Sequence, residues 1–166
     1  PLLPPHLYVG YERQIGLSAP VEEKGELGVL PLHFALRFGW EEILHAVEHA
    51  YLSLGPEERA HAVVLGTWFG DTGAVNVLGR ARGLPPAVSG HNSYWLWGPG
   101  DREPEVVLAL SRDGAGLDDA FARVERVAEV DCRLCLPRVD ALAVYVCRGA
   151  RGAVALAARR ARHPGR

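Results

Sequence analysis

Residues 40–73 read WEEILHAVEHAYLSLGPEERAHAVVLGTWFGDTG. Ile43, Leu44, Val47, Ala50, Tyr51 and Leu54 recur at helical spacing, which predicts an amphipathic helix over 40–54. Gly55-Pro56 ends it, and Pro56-Glu57-Glu58-Arg59 has the Pro-first, acid-rich composition of a new helical turn. The run His61-Ala62-Val63-Val64-Leu65-Gly66 then predicts a buried strand. Gly70-Asp71-Thr72-Gly73 leads into a further helix expected over 74–82, with Gly83 as its C-cap. Helix, strand and helix within one short stretch are the parts of an α/β crossover.

The same alternation continues outward. Pro86-Ala87-Val88-Ser89 predicts a short strand, 105–110 another, and Leu142 to Cys147 a last one. Leu117, Ala120, Phe121, Val124 and Val127 share one helical face, which predicts a helix over 117–127. A short helix is expected over 8–17 and a closing helix over 154–162. Residues 1–28 form an extended lead-in and a charged loop, and residues 159–166 a basic tail. The fold class expected is therefore α/β: one domain over 1–166, a three-layer sandwich with a mostly parallel sheet, Rossmann-like or flavodoxin-like. Two loops, 66–73 and 89–100, follow strands, and in such a fold they share the sheet edge where ligands bind.

Composition narrows the classes of function. With 48% hydrophobic and 23% charged residues, the chain has enough apolar side chains for a complete core. A net charge of −2 gives no basic field for nucleic acid. No window approaches the ~20 apolar residues of a membrane span. Met is absent and no leader is visible, so the chain reads as a piece of a larger polypeptide.

Chemistry concentrates in Ser89-Gly90-His91-Asn92-Ser93-Tyr94-Trp95-Leu96-Trp97-Gly98-Pro99-Gly100. Flat apolar rings beside directed polar groups suit a sugar or polyprenyl ligand, and they equally suit a loop that plugs the end of a sheet. Tyr94, Trp95 and Trp97 are the candidates for stacking, with His91, Asn92 and Asp71 for polar contacts and Trp68 and His33 beside them. Asp71 and His91 are also the best acid–base candidates, both on loops of the ligand edge; Asp71 or Thr72 as a plain helix N-cap is the competing reading. The run 66–73 is glycine-rich, but it lacks the spacing of a dinucleotide or P-loop motif. His45 and His49 sit one helical turn apart, without the surrounding residues of a metal site, so a solvated surface is expected. No metal or cofactor is indicated. Cys132-Arg133-Leu134-Cys135 with Cys147 leaves three readings open: a structural disulfide, buried thiols, or redox and metal work.

These stretches carry a resemblance. Leu30-Pro31-Leu32-His33-Phe34, Phe38-Gly39-Trp40-Glu41-Glu42, Gly66 through Gly73, Gly83-Leu84-Pro85, Ser89 through Pro99, Asp131 through Cys135 and Tyr145 through Gly149 occur in one order. In that order they resemble the C-terminal soluble domain of bacterial glycosyltransferase family 39-like membrane proteins, the dolichyl-phosphate-mannose protein mannosyltransferase type. Asp71 shortens an acid of the family's loop, and Leu36 and Asn76 stand where acids are expected. The resemblance implies an accessory domain on the extracytoplasmic side of a membrane, after a membrane-embedded portion of the same polypeptide. That portion would hold the catalysis and the polyprenyl-phosphate-sugar donor. The domain would cover the catalytic site or bind acceptor, and would not be catalytic alone. A disulfide agrees with that location. Two rivals remain: a free-standing small transferase or hydrolase using Asp71 and His91, and a partner-binding module.

Overall fold

The computed structural model of the chain describes residues 3–16, 28–97 and 104–151, apart from the side chains of Trp95 and Trp97. The expected closing helix and basic tail lie outside these residues, as does most of the charged loop.

Helix α1 (Pro5–Gln14) and the single turn α2 (Leu32–Ala35) precede α3 (Trp40–Leu52), the helix whose apolar stripe was plain in the sequence. Ile43, Leu44, Val47 and Ala50 are all fully buried along it. Helix α4 (Pro56–Ala60) starts at its proline and delivers the chain to β1 (Ala62–Gly66), every residue of which is buried. That complete burial explains the unbroken apolar run. Next come α5 (Phe69–Val77), a 3-10 turn (Gly79–Arg82) and β2 (Ala87–Ser89). They are followed by α6 (Tyr94–Trp97), β3 (Val106–Ser111) and α7 (Leu117–Ala120). Strand β4 (Phe121–Glu129), α8 (Pro137–Asp140) and β5 (Ala143–Ala150) complete the order.

Among the described residues the five strands form one sheet in the order β2-β1-β3-β5-β4. Strand β1 runs parallel to β2 and β3, while β5 runs antiparallel to β3 and β4. The fold is α/β as expected, and the sheet is mixed: a parallel half carries the β1-α5-β2 crossover, and an antiparallel half closes the other side.

Two elements depart from the sequence reading. The helix expected at 74–82 begins five residues earlier, at Phe69, because Asp71 caps it from inside its first turn. Gly83 does close the stretch, at φ 71°. The helix expected over 117–127 stops at Ala120, and 121–129 is a strand paired with β5. The pairing shifts register between Arg126 and Ala128. Val124 therefore meets one face of the sheet while Val127 and Ala128 meet the other. A three-residue apolar spacing that looks helical is here a bulged strand reading both faces.

The sheet separates two cores. Val64, Leu108, Val144 and Val146 face α3 and α5, whereas Leu65, Val107, Ala109, Tyr145 and Cys147 face Leu117 and Phe121. Among the described residues no helix is long and apolar enough to cross a membrane.

Candidate functional site

The carboxyl ends of β1 and β2 are neighbours, since Gly66 is in register with Ser89. The chain leaves β1 through Thr67 and Trp68 into α5, and leaves β2 through Gly90 and His91 into α6. The two loops expected to share an edge do meet there. The rings of Phe69 and His91 lie 5.6 Å apart, those of Trp68 and Phe69 4.8 Å apart and edge-on, and Trp40 stacks on Trp68 at 6.1 Å. A continuous run of four rings, Trp40-Trp68-Phe69-His91, thus lies along the carboxyl edge. The guanidinium of Arg138, from α8, sits 4.3 Å above the Trp68 ring.

Asp71 builds this edge. Its side chain is wholly buried. Oδ2 accepts from the Thr67 amide at 3.0 Å and from the Thr67 hydroxyl at 2.6 Å. Oδ1 accepts from the Trp68 amide at 3.2 Å and the Thr72 amide at 2.5 Å. The carboxyl therefore ties off the Thr67 and Trp68 amides just ahead of α5 and braces the Thr72 amide, which also donates to the Trp68 carbonyl at 3.3 Å. Burial pushes it above the ordinary carboxylate range, and the donors gathered on it pull in the opposite direction. The polar ligand contact expected of Asp71 is not open to it, because its acceptor positions are taken by its own chain and no surface reaches solvent. The same burial removes the acid of the expected acid–base pair.

Two glycines make room for this knot. A Cβ at Gly66 would fall 2.6 Å from Asp71 Oδ1, and one at Gly70 would fall 2.5 Å from the Trp68 ring. The glycine-rich character of 66–73 thus serves close packing of a carboxyl and an indole, with no phosphate cradle.

His91 is half-buried, and its amide donates to Ser89 Oγ at 3.1 Å. Asn92 is exposed and adopts φ 50°, the left-handed conformation in which Asn is among the favoured residues. Tyr94 lies along α5, its hydroxyl 3.7 Å from the Cβ position of Gly73. Trp95 and Trp97 belong to α6, and their side chains lie outside the described residues. All four Trp of the chain therefore occupy elements of this edge. His33 is elsewhere: it packs on Phe34, which in turn meets Tyr8. Trp40, Phe69 and Arg138 join the edge although the sequence did not single them out. Phe69 carried a signal, being next to Trp68 in a loop already suspected; Arg138, 70 residues from Trp68, carried none.

Asn76, where an acid was expected, holds both main-chain groups of Ala87, donating to its carbonyl at 2.8 Å and accepting from its amide at 2.9 Å. A carboxylate cannot donate, so the amide is what this edge-strand contact requires.

The cysteines correct the disulfide expectation. All three are free and buried. Cys147 points into one core and Cys132 and Cys135 into the other, so the sheet lies between Cys147 and the other two. Cys135 Sγ donates to the Cys132 carbonyl at 2.8 Å, beside an open cavity of about 380 Å³ lined by Phe38, Glu42, Asp131, Cys132, Arg133 and Leu134. Burial raises the Cys135 thiol and pushes the Cys147 thiol up to about 12. Among the described residues no three His, Cys, Asp or Glu side chains gather as metal ligands.

No protein-family model matches the chain, and comparison with curated proteins and with solved structures gives no match.

Proposed function

We propose that this chain is the extracytoplasmic accessory domain of a membrane glycosyltransferase, with its aromatic edge turned toward saccharide. The observation that carries the reading is the run of four rings, Trp40-Trp68-Phe69-His91, at the carboxyl ends of two parallel strands. Stacked rings interrupted by polar tips are the surface that sugar rings bind, and the carboxyl edge of a parallel sheet is where α/β folds place ligands. The ordered motifs of the glycosyltransferase resemblance, 89–99 foremost, supply the enzyme context. The finer architecture that goes with it is a three-layer, Rossmann-like sandwich.

In this reading the domain binds acceptor or covers the donor site, and the membrane portion of the same polypeptide transfers sugar from a polyprenyl-phosphate donor. The buried state of Asp71 supports a binding role over independent catalysis, because the edge is left without a free carboxylate from α5.

The test is sugar transfer by the full-length polypeptide from a polyprenyl-phosphate-sugar donor, intact and with Trp95→Ala or His91→Ala. One stacked ring is worth about 1 kcal/mol beyond its burial, so each variant should lose transfer about fivefold with its melting temperature retained. Unchanged transfer in both variants would remove the edge from the function. Turnover by the 166-residue chain alone would establish the free-standing enzyme instead. The second reading, a partner-binding module, draws on Leu96 of α6, which is 79% exposed beside the same edge. It predicts capture of the membrane portion without affinity for sugar.

A further inference from the structure

We propose that Phe69 is a door over a binding site for the hydroxyls of a sugar, formed by Trp68 Nε1 and His91 Nδ1. The inference rests on reading the aromatic edge as a saccharide surface, and it names the atoms that bind.

Trp68 is only 8% exposed, and its Nε1 has neither a hydrogen-bond partner nor contact with solvent. His91 Nδ1 is in the same condition. Buried polar nitrogens are nearly always paired, so Trp68 Nε1 and His91 Nδ1 call for an explanation. Their common neighbour is the Phe69 ring, 4.8 Å from the Trp68 ring and 5.6 Å from His91. A phenyl ring offers neither nitrogen a hydrogen bond. Phe69 itself is 48% exposed at the first position of α5, so turning its ring further into solvent sacrifices little burial.

The chemistry of the two nitrogens selects the ligand. An indole N–H donates only, and a neutral imidazole nitrogen donates or accepts according to its tautomer. A hydroxyl suits each of them: one accepts from Trp68, and one complements either state of His91. A pyranose brings such hydroxyls together with an apolar C–H face that stacks on the displaced Phe69 ring or on Trp40. The gain on binding comes from pairing groups that the free protein leaves unpaired. Asn92 is exposed in the same turn as His91.

The experiment follows the four indole N–H resonances of the ¹⁵N-labelled 166-residue chain during titration with methyl α-D-mannopyranoside, Trp68→Phe assigning the Trp68 signal. The expected result is a saturable downfield movement of the Trp68 indole proton, with a Kd in the millimolar range. His91→Phe keeps a ring and removes the nitrogens, and should weaken binding at least fivefold. Phe69→Ala removes the door and should tighten binding severalfold; Phe69→Leu, which keeps more of the side chain, should do so to a smaller extent. A Trp68 signal that stays still to about 100 mM sugar, roughly a hundredfold above a millimolar Kd, would overturn the proposal. So would movement confined to the other indoles, or binding indifferent to both His91→Phe and the Phe69 variants. Failure here with the transfer assay intact would sink the site and leave the glycosyltransferase reading standing. Sugar binding without any transfer in the full-length polypeptide would do the reverse.

Discussion

Asp71 shows how one residue can be decisive without touching a ligand. Three backbone amides and the Thr67 hydroxyl converge on its carboxyl, and Gly66 is bare so that it can approach. Asp71→Ala strands the Thr67 and Trp68 amides, while Thr72 keeps the Trp68 carbonyl, and should lower stability by about 3 kcal/mol in urea denaturation. Asp71→Asn keeps the shape but turns an NH₂ toward an N–H whichever way the amide is placed, because both oxygens face backbone donors. It should cost about 1–3 kcal/mol. Wild-type stability in Asp71→Ala with activity lost would restore the acid to a catalytic role. The sequence made the capping role legible, since an acid at the start of an apolar helix is a familiar stop-and-start signal. It did not show that capping leaves Asp71 nothing else to do, because burial is a property of the packed edge.

At the scale of elements, the sequence was most readable where one periodicity ruled. Helix α3 declared itself through Ile43, Leu44, Val47 and Ala50, and β1 through its unbroken apolar run. Strand β4 did not, because it lies at the sheet edge with Arg123, Glu125, Arg126 and Glu129 along it, and its bulge replaces a period of two by a step of three. Charges on an edge strand block unwanted pairing, and they also dilute the pattern that would reveal it. The meeting of Phe69 with His91 was foreseeable from two loops following adjacent strands. The arrival of Trp40 and Arg138 was not, since tertiary packing alone brings α3 and α8 to the edge. Helix α4 carries a testable link of the same kind. Glu58 accepts from Arg148 of β5 at 2.6 and 3.2 Å and from the Gly55 amide at 3.3 Å. The Arg148 guanidinium holds the Glu58 carboxyl below its ordinary range. A depressed acid stabilises the fold above its unfolded pKa of about 4.3, and the contribution fades as pH falls through the folded value. Thermal melts from pH 7 to pH 3 should therefore show Glu58→Gln less stable at pH 7 by about 1 kcal/mol and converging on wild type in acid. A difference that persists undiminished at pH 3 would assign the loss to packing instead of charge.

At the scale of the whole molecule, the sheet is a partition, and the cysteines report on both of its sides. Cys132 and Cys135 lie in the core under α3, and Cys147 in the core beneath Phe121. Both cores exclude water, so the Cys135 and Cys147 thiols are held neutral, Cys147 up to about 12. Thiolate is the reactive form, so the native chain should release almost no colour with a thiol reagent at pH 8, and three equivalents once urea opens the fold. Two unreactive cysteines in urea, recovered by reductant, would reveal a disulfide and overturn the free-thiol assignment. The same burial predicts a dependence on alkali. An acid whose folded pKa is raised favours the folded state while it is neutral. That contribution is whole below the unfolded thiol value of about 8.5 and is lost as pH rises toward the folded one. For Cys147 the window runs up to about 12. Cys147→Ala should therefore be less stable than wild type at pH 7, through a small cavity, and lose less stability than wild type when denaturation is repeated at pH 10.5. Parallel losses in the two proteins would mean that Cys147 meets solvent in the folded chain, and that the core between β3, β5 and Phe121 is open.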